Sequence, residues 1–228
     1  MRRILFSLWL VVLLLLAQPH GYKAVVAAAH DGWSGVGAEE LTPALIAPQT
    51  RQAEIAAIES YARGLDRHMR RSARAARYFA DTSSYERQNA RARWQEFRTK
   101  AALDKAWRDG KTYTSSNVWL NPTGSPVVAL FTYSSPSGDW AQYVTNYYRS
   151  DGTLAKSSSE LRTFMGELIV IRERLYDARG KLIREQTRYL DLKTRKPRRV
   201  REGDFMDREA PLYAKTGELP FYNLLKKR

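Results

Sequence analysis

The 228 residues contain no cysteine. This excludes disulfide staples, a thiol nucleophile, a lipidated cysteine and thiolate metal sites, so stability has to come from packing. Histidine is nearly as scarce: His20, His30 and His68 are the only three, and the first two lie in or beside the N-terminal leader. Imidazole-based acid–base chemistry and metal binding therefore have almost nothing to be built from. A Gly-rich phosphate loop is missing, and Ser157-Ser158-Ser159 lacks the flanking glycines of a nucleophile elbow. No cofactor, metal or nucleotide is expected.

What is present begins at the N-terminus. Arg2 and Arg3 lead into the apolar run Ile4 to Ala17, and Ala27-Ala28-Ala29 follows. At about 1.5 Å per residue this run spans roughly 21 Å, short of the roughly 30 Å hydrocarbon core of a bilayer. The pattern predicts a cleaved signal peptide over residues 1–29, cut before His30, and an extracytoplasmic body, periplasmic or secreted. Ala17 offers a second cut site. The competing reading is a structural protein held by an uncleaved N-terminal helix. Either places the body outside the cytoplasm, in a bacterial-type cell envelope, and argues against a nucleic-acid partner.

The formal charge of +14 falls to +11 without Arg2, Arg3 and Lys23. By segment it is −4 over residues 30–60, +8 over 61–111, +1 over 112–192 and +6 over 193–228. A near-neutral middle between two basic segments points to an anionic partner, either an envelope surface or an acidic protein.

Residues 30–49 carry Gly32, Gly35, Gly37, Pro43 and Pro48 and are expected to form a flexible linker. Segment 50–110 predicts two helices. The first has a narrow seam of Ile55, Ile58, Ala62, Leu65, Met69, Ala76 and Phe79; the second restarts at a Ser83/Glu86 capping box, buries Trp94, Phe97, Ala101 and Leu103, and closes at Asp109-Gly110. Segment 111–192 predicts an antiparallel meander of about six strands: 112–120, 127–134, 140–148, 153–164, 167–176 and 181–192. Two turns 28 residues apart, Tyr148 to Leu154 and Tyr176 to Leu182, share an aromatic, a glycine and a leucine, with Gly152 and Gly180 expected at positive φ. The fold class is α+β, with one helix packed on the sheet, residues 50–228 as one domain, and 193–228 a basic segment followed by a docking tail.

Three constellations are candidate sites. Lys193, Arg195, Lys196, Arg198, Arg199 and Arg201 place six cations in nine residues, denser than an ordinary solvated loop. Arg63, Arg67, Arg70, Arg74 and Arg77 form one stripe if they share a helix, facing solvent opposite the seam. Guanidinium groups bind phosphate and carboxylate bidentately, so both clusters are anion-binding candidates. Trp140, Gln142, Val144, Asn146 and Tyr148 share one face of a strand and could stack on and hydrogen-bond a ligand. The function expected is a non-catalytic one. The alternative is a small envelope carbohydrate hydrolase using Glu167, Glu173 and Glu185, although a two-residue turn at Gly180 would set Arg172 or Arg174 opposite Glu185 and make cross-strand ion pairing the simpler reading, a register that a three-residue turn would change.

Overall fold

Six strands lie within two residues of the predicted segments, and two further strands occupy sequence that carries helical spacing. The structure, a computed structural model, describes residues 43–72, 75–83, 91–201, 205 and 208–226, with side chains from residue 50. The expected signal peptide and its expected cut site, Arg74, and the Glu86 of the expected capping box lie outside the described residues. In chain order the elements are α1 (Pro43–Arg71), β1 (Arg77–Asp81), β2 (Trp94–Phe97), α2 (Lys100–Arg108), β3 (Thr114–Leu120), β4 (Pro126–Ser134), β5 (Trp140–Tyr148), β6 (Leu154–Thr163), β7 (Leu168–Tyr176), β8 (Leu182–Asp191) and α3 (Tyr222–Leu225). The eight strands form one antiparallel sheet, ordered β2-β1-β3-β4-β5-β6-β7-β8.

The fold is α+β with an N-terminal and an internal helix, but the expected arrangement of two long helices before six strands needs correction. Helix α1 starts at Pro43, where the missing N–H costs nothing. It stops at Arg71, and Ala76 and Phe79, which continue its spacing, belong to the approach to β1 and to β1 itself. Trp94 and Phe97, expected on the second helix, lie on β2. Short apolar runs do not distinguish the two periods, and long-range packing decides. Phe79 is fully buried and stacks on Phe221, with ring centroids 4.4 Å apart. Helix α2 starts only after Thr99, its cap, whose Oγ1 accepts from the Ala102 N–H, and it is closed by Asp109-Gly110, with Gly110 at φ 66°.

The sheet from β3 to β8 is a gapless repeat of 28 residues. Asn121, Arg149 and Asp177 each donate their N–H across a turn, to the carbonyls of Ser125, Thr153 and Lys181, and accept from Gly124, Gly152 and Gly180. These glycines have φ of 82°, 82° and 80°, the left-handed residue of a three-residue hairpin turn. Register shifts recur at Leu120, Tyr148 and Tyr176, at the same point of each unit. At the opposite end, the turns 135–139, 164–167 and 191–196 lie side by side, tied by Phe164 N–H to Asp139 O and Leu192 N–H to Glu167 O.

Both faces are covered. On one, α1 crosses the strands near the 121–125, 149–153 and 177–181 turns. Ile55 and Ile58 cluster with Ala155, Leu175 and Ile183, and Ala62, Leu65 and Met69 with Trp119, Val127, Val128 and Tyr147. Helix α2 lies on the same face over β1 and β2, with Trp107 Nε1 donating to Ser115 Oγ. On the other face, Phe79, Val118, Phe131, Val144 and Tyr148 form a cluster sealed by the C-terminal tail through Tyr213, Leu219 and Phe221. The tail is tied to the sheet edge by Leu154 N–H to Ala214 O and Thr216 N–H to Gly152 O.

Candidate anion-binding surfaces

The basic segment after β8 is a tight turn that doubles back. The Asp191 carboxylate Oδ1 accepts from the Lys193 and Thr194 N–H groups and from Thr194 Oγ1, and Arg195 takes a left-handed φ of 58°. The Thr194 backbone and hydroxyl, with Lys193 N–H, hold the Asp191 carboxyl below its usual range. The returning chain then covers the edge of β8, with Pro197 bridging Leu190 and Arg198 N–H donating to Tyr189 O. Lys193 pairs with Glu167 at 2.8 Å, and Arg198 Nη1 donates to Gly166 O at 2.7 Å. Lys193, Arg195, Lys196, Arg198, Arg199 and Arg201 are all exposed. Among the described residues, Arg195, Lys196 and Arg199 hold no acidic partner.

The neighbouring turn is where sequence reasoning missed something. Phe164 and Met165 are 66% and 56% exposed at its tip, larger fractions than for any other large hydrophobic side chain among the described residues. Two big apolar residues at a turn next to Gly166 were the available signal, because turns ordinarily carry polar side chains. The two tips touch through Arg198 and Lys193, so the apolar tip adjoins the basic turn.

The helix stripe is only partly as expected. Arg63, Arg67 and Arg70 are exposed on α1, but Arg77 is buried on β1 and paired with Glu96. It left the stripe because the helix ends six residues earlier. The α1 arginines and the 193–201 cluster also lie at opposite ends of the sheet: Arg51 donates to Ile183 O and Tyr61 to Tyr148 O, both near the far turns. They do not make one surface.

The strand face of β5 is covered and does not present an open platform. Tyr148 is fully buried and its hydroxyl donates to Tyr213 O; Trp140 lies under the Arg208 guanidinium at 4.3 Å from the ring centroid. Gln142 and Asn146 are buried beneath the tail. What remains is a small cleft between β5, β7 and the tail, lined by Gln142, Ser157, Ser159, Arg172, Arg174 and Pro211, among others.

The three carboxylates of the hydrolase reading do not converge. Register pairs Arg174 with Glu185 and Glu173 with Gln186, so Glu173 and Glu185 point to opposite faces of the sheet. Glu185 accepts from Arg174 Nε at 3.0 Å, the cross-strand pairing expected, and Glu167 is at the far tip. Burial opposes ionisation of Glu173, but the Lys156 hydrogen bond and charge outweigh it and hold its pKa below the usual range, the reverse of what a general acid requires.

Half-buried basic side chains of the sheet thus form ion pairs, Arg172, Arg174 and Arg184 among them. Among the described residues there is no group of three or more metal-ligating side chains, and no helix is long and apolar enough to cross a membrane. No protein-family model, no curated protein and no solved structure matches the chain.

Proposed function

We propose that the chain is an exported, non-catalytic envelope protein that docks on an anionic bilayer surface through the end of the sheet carrying Phe164, Met165 and the Lys193–Arg201 segment. The observation that carries this reading is the contact between the two tips: a turn with an exposed aromatic–thioether pair, joined through Arg198 and Lys193 to the segment that carries Arg195, Lys196 and Arg199, which hold no acidic partner among the described residues. Apolar side chains enter the headgroup region while basic ones hold its phosphates, each cation near an anionic surface contributing about 1 kcal/mol. Export is supported by the leader, Met1 to Ala29.

Flotation with vesicles tests the docking. Binding is expected to phosphatidylcholine vesicles containing phosphatidylglycerol and not to phosphatidylcholine alone. Substituting Phe164→Ser with Met165→Ser, or Lys196→Gln with Arg199→Gln, should weaken it at least tenfold. Equal binding to both vesicle types, or no loss in either double variant, overturns the reading. Sequencing of the mature N-terminus should begin at His30; a start at Met1 supports the anchored alternative.

A further inference from the structure

On the tail-covered face, the aromatic floor below Phe221 gives way to a polar floor between β5 and β8. One cross-strand row contains Asn146, Ser157, Arg174 and Glu185, and the next Val144, Ser159, Arg172 and Thr187. Glu209 reaches from the tail onto both guanidiniums, 2.7 Å from Arg174 Nη2 and 3.3 Å from Arg172 Nη1. The two partners differ in solvation: the arginine side chains are 15% and 23% exposed, Glu209 is 65% exposed. Fixed, largely desolvated cations thus face a carboxylate that water reaches freely, and such a carboxylate is weakly held.

The amide beside them is incomplete. Gln142 Nε2 donates to Ser159 Oγ and to the Arg208 carbonyl, both at 3.0 Å. A carbonyl can only accept, so this fixes the orientation of the amide and leaves Oε1 as a buried acceptor with no donor. A buried acceptor left without a donor is costly, and one on the wall of a cleft indicates what the cleft takes.

We infer that this cleft is a recognition site for a peptide-like ligand that presents a carboxylate beside an amide N–H, and that Glu209 occupies the carboxylate position in the free protein. The arginine pair receives a carboxylate oxygen between Arg172 Nη1 and Arg174 Nη2, where Glu209 Oε1 lies, while Glu185 keeps Arg174 Nε. Gln142 Oε1 receives the N–H. Arg208 stays on Gln142, and the segment Ala210 to Leu212, which has no regular secondary structure, forms the rim that yields as Glu209 is displaced. The site is separate from the hairpin tips and does not depend on membrane docking.

Calorimetric titration of the full chain with N-acetyl-glutamate tests it, with N-acetyl-glutamine amide as the probe that lacks a carboxylate. Glu209→Gln should bind N-acetyl-glutamate at least fivefold more tightly than the natural chain, because the internal competitor is removed. Adding Arg174→Gln to that variant should abolish binding, and adding Gln142→Leu should weaken it. If Arg174→Gln melts early by circular dichroism, Arg174→Lys, which keeps the charge and loses the fork, should still weaken binding. The inference fails if Glu209→Gln gains nothing, if no saturable binding appears up to about 10 mM, or if the amide probe binds equally.

Discussion

Arg77 and Glu96 form a two-point ion pair across the β1–β2 pairing, Nε to Oε1 at 2.8 Å and Nη2 to Oε2 at 2.6 Å. The same guanidinium donates to the carbonyls of Leu224 and Leu225 at the end of α3, each at 3.1 Å. One buried side chain therefore joins the edge of the sheet to the end of the chain. Arg77→Met removes the charge and leaves Glu96 and two carbonyls without their donor, so urea unfolding should show a loss of about 3 kcal/mol. Arg77→Lys should recover only part of it, since an ammonium cannot reproduce the fork.

Phe221 is the apolar counterpart of that tie. It is 1% exposed and packs on Phe79, Trp94 and Phe131. Phe221→Ala should cost about 4 kcal/mol and expose the aromatic face to dyes that bind apolar surface. If unfolding midpoints change by less than a quarter of that, the tail is not part of the cooperative core.

Two glycines at equivalent turns should behave differently. At Gly180 a Cβ meets nothing within 4 Å, so Gly180→Ala should cost only the left-handed backbone penalty, about 1 kcal/mol. At Gly152 the Cβ would come within 2.7 Å of Thr216 Oγ1 and press on the tail as well. Gly152→Ala should therefore be the more destabilising by at least about 1 kcal/mol, and Thr216→Ala should relieve the excess.

Buried phenols set the alkaline limit. Burial, followed by the 2.8 Å hydrogen bond to Asp66, raises the Tyr147 pKa well above its ordinary value of 10.0. Burial also raises those of Tyr133 and Tyr148. A raised phenol pKa contributes stability that is whole below the unfolded value and is lost as pH rises from there toward the folded value. Unfolding free energy should accordingly fall above pH 10, by about 1.4 kcal/mol per pH unit for each phenol held protonated. Tyr147→Phe should reduce that slope by one phenol's share in denaturant titrations between about pH 10 and 12.

The sheet was readable from Thr114 onward because its signal is local: alternating apolar and polar residues, closed by glycines that must be left-handed. Asp109-Gly110 marked a helix end for the same reason. Strands β1 and β2 were not readable, since Phe79 and Trp94 owe their places to Phe221, more than 120 residues away. Of the candidate residues, the exposure of Lys193 to Arg201 and of Arg67 and Arg70 followed from charge alone. The burial of Gln142, Asn146 and Tyr148 did not, because it depends on a tail whose docking no periodicity announces. The third copy of the turn, at Asn121, was hidden by its leucine and proline, where the other two have tyrosine and leucine.

The gapless 28-residue unit makes α1 a ruler for the sheet. Each unit adds two strands, which at about 4.8 Å apiece widen the sheet by roughly 10 Å. Because 28 is even, an added or deleted unit leaves every side chain on its own face, whereas an odd insertion would invert all that follow. The helix that spans those strands rises only about 1.5 Å per residue. A homologue wider by one hairpin must therefore lengthen α1 by roughly two turns, and a narrower one must shorten it by as much, so paired length changes in α1 and the sheet are the signature by which distant relatives can be recognised.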